Sequence, residues 1–312
     1  MRGIGTHAPH RRHTWLAVAL PACSLMIALG PDNFPLITAR AFLLQGAALL
    51  LIAGILLAVC GRTWTVDGAV LSAMICIGPT FLLKNKTNST ATGSVLFTLA
   101  QMNVHRTNSS FAGTMAAARA RGADILSVQE VDARWEKALV EGLADLYPYH
   151  VVRTADDNYG IALFSRSPFE DHAVFDLNGL PAIRATVRLN ELDILVLAVH
   201  LRSPESRADL KQRNMQWAAL ADLAINAPGP VLVVGDLNTV PWDNAAKHFN
   251  MVTSLAWGPH PLSPTWPSIA GLSLIPLDHM LTSPGLCILD PRTFIIPGSD
   301  HQGLSATIAV NR

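Results

Sequence analysis

Residues 230–238 read Pro-Val-Leu-Val-Val-Gly-Asp-Leu-Asn, and this stretch decides the fold class. Its first part, residues 230–234, is apolar without interruption, which predicts a strand buried on both faces of a sheet. Gly235, Asp236 and Asn238 follow at once, so polar groups lie where the strand ends. A buried strand of this kind favours an α/β protein, in which ligands bind beyond the carboxyl ends of the strands.

Strand and helix patterns alternate on both sides of this stretch. Short β-like runs predict strands at residues 95–104, 124–128, 160–165, 182–189 and 192–198. Apolar spacing and composition predict helices at residues 111–121, 134–146 and 206–224. The expected class is therefore α/β, with mixed sheets covered by helices.

Polar residues also lie at or just after the apolar runs elsewhere in the chain. Any one of them has an ordinary structural explanation, such as a helix cap or a turn. As a set of acids, amides and histidines, they are expected to converge on one crevice. The set comprises Asn103, Gln129, Glu130, His200, Asp236, Asn238, Asp278, His279, Asp300 and His301.

The chemistry of this set points to hydrolysis of a phosphate ester. An acidic cluster that includes Glu130 and Asp300 suits a hard divalent cation such as Mg²⁺, which prefers carboxylate and amide oxygens. A His-Asp pair such as His301 with Asp278 suits proton transfer, because the carboxylate orients the imidazole and stabilises its charged form. The sequence contains no glycine-rich phosphate loop, no Gly-x-Ser-x-Gly elbow and no His-Glu-x-x-His motif.

Seven short motifs resemble, in order, those of the endonuclease/exonuclease/phosphatase superfamily. They are Met102-Asn103-Val104, Gln129-Glu130, Tyr159-Gly160-Ile161-Ala162 with Ser165-Arg166, His200, Gly235-Asp236-Leu237-Asn238, Leu277-Asp278-His279 and Ser299-Asp300-His301. The resemblance covers residues 95–312. It implies a four-layer α/β sandwich, in which two mixed β-sheets pack face to face between helices.

The resemblance also implies which residues hold the metal and the substrate. Glu130 would be the principal ligand of Mg²⁺ or Mn²⁺, aided by Asn103 and Asp300. Asn158 and Tyr159 would contribute to substrate binding, at positions where members of the superfamily differ.

Five residues acquire acid–base or phosphate-binding roles from the same resemblance. His301, polarised by Asp278, would be the general base. Asp236 and Asn238 would orient the water or protonate the leaving oxygen, and would bind the phosphate. His200 would donate a hydrogen bond to a phosphoryl oxygen and stabilise the charge of the transition state.

The composition sets limits on the class of protein. The chain has 312 residues, of which 50% are hydrophobic and 15% charged, which excludes a disordered, collagen-like or disulfide-stapled protein. A low charged fraction also indicates that part of the chain lies in a membrane. Cys287 is the one cysteine after residue 94, so a disulfide framework or a cysteine-based zinc site is excluded there.

Three apolar stretches near the start of the chain predict a membrane anchor. They are residues 15–30, 41–60 and 66–83. The second stretch is uncharged and at 1.5 Å per residue is long enough to cross the ~30 Å core of a bilayer. The first could instead be the apolar part of a signal peptide.

The expected organisation is an anchor of about three transmembrane helices at 1–83, a polar tether at 84–94 and a catalytic domain at 95–312. The transmembrane and signal-peptide interpretations of the first stretch both predict a cell-membrane protein whose catalytic domain is extracytoplasmic. If one stretch is merely a buried helix, the domain would lie in the cytoplasm instead. The Lys and Arg residues flanking the stretches favour the first topology only weakly.

The net charge of the chain is zero because two oppositely charged parts cancel. Residues 1–94 carry a net charge of +5 and residues 95–312 a net charge of −5. An acidic catalytic domain weighs against a nuclease, which gains affinity from Lys and Arg on the phosphates.

The substrate follows from a narrower resemblance. Apolar spans followed by a catalytic domain resemble the teicoplanin-resistance type of the superfamily, which implies a polyprenyl pyrophosphate substrate and the lipid bilayer as partner. Residues 255–276, with Trp257, Trp266 and five prolines, form either a lipid-facing wall or an ordinary ordered loop. The alternatives are a metal-dependent nuclease, a phospholipid or inositol-phosphate phosphodiesterase, and a non-catalytic membrane-binding module.

Overall fold

The computed structural model describes residues 14–60, 63–81, 83, 95–189, 192–258 and 262–310. The chain forms two compact units, Met1–Leu83 and Lys84–Arg312. The predicted tether at 84–94 lies outside the described residues.

The first unit is helical. Its helices are α1 (Thr14–Leu29), α2 (Leu36–Ala41), α3 (Leu43–Val59) and α4 (Thr63–Phe81). Both α1 and α3 pack against α4. The approach of α1 is close, since a Cβ added to Gly68 would lie 2.7 Å from the Cα atom of Ala17.

The prediction of transmembrane helices is wrong. Among the described residues, none of the helices combines the length and the apolar character that crossing a bilayer requires. The predicted span at 41–60 is interrupted because Phe42, with φ −100° and ψ 24°, separates α2 from α3. The 17 residues of α3 reach about 26 Å, less than the ~30 Å of a bilayer core. The longer α4 contains Asp67 and Pro79.

The predicted cell-membrane location rested on the predicted transmembrane helices, so it is wrong as well. A multi-pass cell-membrane protein with an extracytoplasmic domain was expected because three helices were expected to cross the bilayer. The described helices do not support that location or a bilayer partner.

The second unit contains twelve strands and four helices among its described residues. In chain order they are β1 (Val95–Asn103), α5 (Phe111–Arg121), β2 (Ile125–Gln129), α6 (Ala133–Leu143), β3 (Tyr149–Arg153), β4 (Ile161–Ser165), β5 (Phe169–Asp176), β6 (Pro181–Leu189), β7 (Leu192–His200), α7 (Arg207–Ile225), β8 (Val231–Asp236), α8 (Asn244–Thr253), β9 (Ala256–Trp257), β10 (Asp278–Thr282), β11 (Leu286–Ile295) and β12 (Gln302–Val310).

Two six-stranded mixed sheets organise this unit. The first has the order β11-β12-β1-β2-β4-β3 and the second the order β5-β6-β7-β8-β10-β9. The pairs β1–β2 and β7–β8 are parallel, and the other pairs are antiparallel. Apolar side chains of α5 and α6 pack against the first sheet, and those of α7 and α8 against the second. The predicted α/β sandwich of two mixed sheets flanked by helices is confirmed.

Side chains alternate between the two faces of each strand, and this alternation produces separate apolar cores on the two faces of each sheet. Successive side chains of a strand point to opposite faces. In β1, Phe97 and Leu99 lie in the core between the sheets, whereas Ala100 and Met102 lie in the core against the helices. The sandwich is therefore held by burial on both faces of each sheet.

The space between the sheets changes from apolar to polar toward one end of the sandwich. In β1, for example, Gln101 and Asn103 continue the face that carries Leu99. The polar residues at this end are Gln101, Asn103, Ser127, Gln129, His200, Asp236 and Asp278, all buried. It is the carboxyl end of β1, β2, β7 and β8 and the amino end of β10. The fold thus gathers buried polar groups where the sequence predicts a crevice.

Candidate active site

Asn103 lies at the centre of this buried polar group. Its Nδ2 donates hydrogen bonds to Glu130 Oε1 and to Asp236 Oδ2, each at 3.1 Å. The same nitrogen lies 3.5 Å from His301 Nε2. Its Oδ1 accepts a hydrogen bond from the backbone N–H of His105 at 3.0 Å. The amide therefore links residues from both sheets.

Glu130 follows β2 in a backbone conformation that few residues other than glycine adopt. Its φ is 64°, and such strain is found most often at functional sites. The side chain is buried, and Oε2 accepts a hydrogen bond from the backbone N–H of Arg106 at 2.8 Å. The turn thus directs a carboxylate into the crevice rather than to solvent.

His301 and Asp278 form a buried pair. His301 Nδ1 lies 2.8 Å from Asp278 Oδ2, and this bond leaves Nε2 facing Asp236. The loop before β12 is fixed because Ser299 Oγ donates to the backbone oxygen of Asn103 and accepts from the backbone N–H of His301. The predicted histidine–aspartate pair is thus in hydrogen-bonding contact.

Asp236 lies between the two histidines of the site. Its Oδ2 is 3.4 Å from His200 Nε2 and 3.7 Å from His301 Nε2. The preceding Gly235 has a positive φ of 146°, and a Cβ there would lie 1.8 Å from the backbone oxygen of Val199. A glycine is therefore needed for β8 to approach β7 this closely.

Asn238 contacts this group through its backbone. Its N–H donates to Asp236 Oδ1 at 3.0 Å, and its Nδ2 donates to the backbone oxygen of Leu201 at 2.8 Å. Asn238 also has a positive φ, of 45°. The asparagine therefore orients the Asp236 carboxylate.

Burial and mutual charge shift the pKa values of these groups in opposite directions. Burial alone would lower the pKa of His301, but the charges of Asp278 and Asp236 outweigh it and raise the pKa to about 10. Burial and the charge of Asp278 raise the pKa of Asp236 to about 7. Burial lowers the pKa of His200 to about 4, so its imidazole is neutral at pH 7.

Asp278 behaves differently from Asp236, although both are buried. Burial would raise its pKa, but the charge of His301 and the hydrogen bonds from His301 and Gln101 hold the pKa below its ordinary range. Asp278 is thus the permanently charged member of the cluster, whereas Asp236 can bind a proton near neutral pH.

Asp300 lies at the edge of the crevice. Its Oδ2 accepts a hydrogen bond from Trp266 Nε1 at 3.0 Å. Its Oδ1 is 3.7 Å from His105 Nδ1, and this oxygen is buried without a hydrogen-bond partner. A buried carboxylate oxygen with an unused lone pair is a potential metal ligand.

The residues present fit a divalent cation. Glu130 and Asp300 offer carboxylate oxygens, the donors that Mg²⁺ and Mn²⁺ prefer. Asn103 turns its nitrogen toward the carboxylates in this structure, so its role as a metal ligand stays a prediction.

A second cluster of ligand-type atoms is better explained as an acid–base group. One ligand atom each from Asp236, Asp278 and His301 lies within 4.8 Å of the other two. The hydrogen bond between His301 and Asp278 already uses atoms of two of the three. The Glu130 side of the crevice therefore stays the predicted metal site.

Two predicted substrate-binding residues lie on the rim. The ring of Tyr159 packs 4.9 Å from that of His200, and the guanidinium of Arg202 lies over the tyrosine at 5.1 Å. Asn158 is exposed, and its Oδ1 accepts a hydrogen bond from Arg106 Nε at 3.1 Å. The rim therefore brings arginines to the mouth of an otherwise acidic crevice.

Comparison with protein families agrees with the motifs and the geometry. The model of the endonuclease/exonuclease/phosphatase family matches residues 100–301. The chain belongs to this family. Its members are metal-dependent phosphoesterases, so the predicted enzyme class, a metal-dependent phosphoric ester or anhydride hydrolase, is confirmed.

Solved structures of this family share the fold of the second unit. An endonuclease/exonuclease/phosphatase from Beutenbergia cavernae is 21% identical, with a TM-score of 0.57 over 70% of this chain and 72% of that one. TDP2 of D. rerio, complexed with a single-strand DNA product, is 16% identical, with a TM-score of 0.57 over 68% and 98%. Sphingomyelinase C from Streptomyces griseocarneus is 17% identical, with a TM-score of 0.53 over 69% and 99%.

These structural likenesses show the fold and not the substrate. The similar structures include an enzyme complexed with a DNA product and an enzyme named for a lipid substrate. The comparisons do not show the narrower resemblance to the teicoplanin-resistance type of the superfamily. No curated protein sequence matches the chain.

The family's predicted site residues are distributed in the structure as follows. Asn103, Glu130, His200, Asp236, Asp278 and His301 form the buried group, Asn238 supports it, and Asp300, Asn158 and Tyr159 lie at its edge. Their catalytic roles stay predictions.

Three residues at the site were missed by sequence reasoning. Gln101 contacts Asp278, His105 lies beside Asp300, and Arg106 contacts both Glu130 and Asn158. Gln101 could have been found by strand parity, since it shares a face with Asn103 two residues on. The two residues after the Asn103 motif carry no pattern that separates them from an ordinary loop.

Proposed function

We propose that this phosphoesterase hydrolyses a lipid-type phosphate, with a polyprenyl pyrophosphate as the model substrate. The observation that carries the proposal is an exposed apolar hairpin that is hydrogen-bonded to Asp300. The coarser activity, hydrolysis of a phosphoric ester or anhydride, is that of the family.

The hairpin comprises residues 266–275. Ile269 and Leu272 bond to each other through both backbone N–H groups, at 2.8 and 3.0 Å, and Trp266 pairs with Ile275 at its base. At its tip Ile269 is 70% exposed and Leu272 is 76% exposed. Gly271 lies beside Ile295, which is also exposed. The hairpin thus presents apolar side chains to the surroundings.

Several hydrogen bonds hold the hairpin against the site. Ser268 N donates to the backbone oxygen of Asp300 at 2.7 Å, and Trp266 Nε1 donates to its carboxylate. Gln302 Nε2 donates to the backbone oxygen of Gly271 at 2.7 Å. A substrate whose phosphate occupies the crevice would meet the hairpin with the group attached to that phosphate. Burial of apolar surface, worth ~25 cal/mol per Å², favours an apolar group there.

The position of Arg106 favours a substrate that carries a second phosphoryl group. Its backbone N–H binds Glu130 and its Nε binds Asn158, so the half-buried guanidinium lies near the crevice. Among the residues that the structure describes, no carboxylate pairs with it. A guanidinium with uncommitted donors suits the distal phosphate of a pyrophosphate.

The proposed reaction is attack of water on phosphorus. In its neutral form His301 accepts the proton of the water at Nε2 while Asp278 stabilises the imidazolium. Asp236, whose raised pKa lets it carry a proton near neutral pH, gives that proton to the leaving phosphate oxygen. His200, neutral because it is buried, donates a hydrogen bond to a phosphoryl oxygen.

His301 must lose a proton before it can act as a base. Its pKa of about 10 is set by the negative charge of Asp278 and Asp236, and it falls when Asp236 takes up a proton, because the charge of Asp236 is then lost. Protonation of Asp236 therefore prepares both the acid and the base. A divalent cation held by Glu130 and Asp300 would polarise a phosphoryl oxygen.

A substrate panel tests the proposal. The purified chain is incubated with Mg²⁺ and polyprenyl pyrophosphate in detergent, inorganic pyrophosphate, phospholipid, inositol phosphate or single-stranded DNA, and phosphate release or strand cleavage is followed. The proposal expects the highest kcat/KM for the polyprenyl pyrophosphate, with activity lost in Glu130→Ala. Preferred cleavage of DNA would overturn it in favour of a nuclease. Preferred release from phospholipid or inositol phosphate would favour a phosphodiesterase.

A further inference from the structure

Gln101 is hydrogen-bonded to Asp278 of the His301–Asp278 pair and so connects the two sheets. Its Nε2 donates one hydrogen bond to Asp278 Oδ1 and another to Gln129 Oε1, both at 2.7 Å. Gln129 Nε2 in turn donates to Ser127 Oγ at 2.7 Å. Gln101, Gln129 and Ser127 are all 0% exposed. A buried chain of hydrogen bonds therefore runs from the first sheet to the acidic member of the pair.

The orientation of the Gln101 amide is determined by its acceptors. Both protons of Nε2 are used, one on a carboxylate and one on an amide oxygen. The Oε1 atom is buried and has no hydrogen-bond partner. Rotating the amide would place this oxygen against the carboxylate of Asp278, which repels it. In the observed orientation the Oε1 atom of Gln101 has no hydrogen-bond donor, but both N–H groups of Nε2 have an acceptor. This orientation is therefore the favourable one.

Gln101 contributes to the orientation of Asp278, beside His301 and Thr265. One carboxylate oxygen, Oδ2, bonds to His301 Nδ1 at 2.8 Å, and the other, Oδ1, bonds to Gln101. With both oxygens held, the carboxylate has no freedom to rotate away from the imidazole. Gln101 lies in β1 and Asp278 in β10 of the opposite sheet, so the bond also fixes the spacing of the sheets at the site.

We infer that Gln101 is a positioning residue for the His301–Asp278 pair. It acts through the Asp278 carboxylate and touches neither substrate nor the reacting atoms. The inference rests on the proposed role of His301 as the base. A merely structural role would not need an amide here, since Phe97 and Leu99 fill the same face of β1 with apolar side chains.

Gln101→Met tests this inference, because methionine has a similar length and lacks the amide. We expect kcat to fall about 10- to 100-fold with KM unchanged, the range found when an outer hydrogen-bond partner of a site is removed. The matched control is Tyr147→Phe, which removes one buried hydrogen bond, to the backbone oxygen of Ala123, at a distance from the site. Its kcat should equal that of the wild type.

A second readout needs no substrate. The proton shared by His301 Nδ1 and Asp278 gives a downfield ¹H NMR resonance, which is assigned by its loss in His301→Gln. In Gln101→Met this resonance should shift upfield or broaden, and in Tyr147→Phe it should not move. If the wild type hydrolyses none of the phosphates tested, the proposed function fails, while the resonance still decides the role of Gln101.

The inference is overturned if folded Gln101→Met keeps the wild-type resonance, whatever its kcat. If that variant does not fold, Gln101→Leu replaces it, since leucine also lacks the amide and Leu99 already lies on the same face of β1. A shifted or broadened resonance in Gln101→Leu then supports the inference. An unchanged resonance in Gln101→Leu contradicts it.

Discussion

Glu130 combines a strained backbone with a carboxylate that two hydrogen bonds hold in place. Glu130→Gln keeps the shape of the side chain and removes its charge, so it tests the charge alone. We expect kcat to fall by at least about 100-fold, as it does when a charge-stabilising group is lost from an active site, while the thermal midpoint changes little. Calorimetric titration with Mg²⁺ should show weaker binding in the same variant.

Glu141→Gln provides the matched control, because Glu141 is exposed on α6. It makes the same chemical change outside the crevice and should bind Mg²⁺ like the wild type. Equal metal affinity in Glu130→Gln and the wild type would show that Glu130 is not a ligand.

His279 makes stability depend on pH. Burial lowers its pKa from 6.5 to about 4, and its Nε2 faces the backbone oxygens of Thr239 and Pro276. The unfolded chain therefore binds a proton as the pH falls below 6.5, whereas the folded chain does not. The contribution of His279 to stability is complete above pH 6.5 and should decline toward pH 4, by on the order of 3 kcal/mol.

Urea unfolding at several pH values checks this effect. In His279→Gln the decline between pH 6.5 and pH 4 should be smaller than in the wild type, because one buried histidine no longer titrates. For the wild type and for His279→Gln, the free energy of unfolding at pH 8 serves as the reference. Parallel curves for the two proteins would contradict the assignment to His279.

The site residues differ in how far the sequence could predict them. Glu130, Asp278 and His301 stand in motifs whose order along the chain is informative, and the fold brings them to one crevice. The role of Gln101 depends on a partner 177 residues away, in the opposite sheet. No local pattern reports that contact, because it exists only once the two sheets have packed.

Among the elements, the hairpin at 266–275 bears most directly on substrate choice. Replacing Ile269 and Leu272 together by serine removes the exposed apolar tip and leaves the backbone bonds to Asp300 in place. If the tip binds the apolar part of the substrate, KM for polyprenyl pyrophosphate should rise about 10-fold or more, since each buried aliphatic side chain contributes ~1.5–3 kcal/mol.

Inorganic pyrophosphate serves as the internal control for this variant, because it has no apolar group. Its kcat/KM should not change. A KM for the lipid substrate equal to that of the wild type would remove the observation on which the proposed substrate rests.

The start of α6 shows a cap that the sequence encodes locally. Asp132 Oδ1 accepts hydrogen bonds from the backbone N–H groups of Arg134 and Trp135 at 3.0 and 2.9 Å. Asp132→Ala should lower the free energy of unfolding by about 1 kcal/mol, measured in urea at pH 7. Glu141→Ala, on the exposed side of the same helix, should have a smaller effect. An equal loss in the two variants would argue against capping.

The same cap weakens in acid. Burial would raise the pKa of Asp132, but the hydrogen bonds from Trp135 and Arg134 lower it below the ordinary value of 3.8. A carboxylate with a lowered pKa stabilises the fold above that value, and its contribution is lost as the pH falls further. The difference between wild type and Asp132→Ala should therefore shrink at low pH.

The elements themselves were predictable to different degrees. The buried strand at 230–234 and the helix at 206–224 correspond to β8 and α7, because an apolar run and a capped helix are local signals. The exposed edge strand β5 was missed, since its alternation of charged and apolar residues is weak. The predicted span at 41–60 was wrong because hydropathy does not report the break in helical geometry at Phe42.

At the scale of the whole molecule, charge distinguishes the candidate substrates. Residues 95–312 carry a net charge of −5, which repels any polyanion from a distance, whereas Arg106 attracts a phosphate only at the crevice. The range of such repulsion falls from about 30 Å at 0.01 M salt to about 10 Å at 0.1 M. Added salt should therefore relieve the repulsion more than it weakens the short contacts.

This balance predicts how the rate responds to ionic strength. Between about 0.01 M and about 0.1 M NaCl, kcat/KM for a soluble pyrophosphate should stay level or rise about twofold. An enzyme that binds nucleic acid along a basic surface behaves in the opposite way, because salt competes with each phosphate contact. A loss of about 10-fold or more in kcat/KM over this interval would indicate an extended basic surface and make DNA the better candidate substrate.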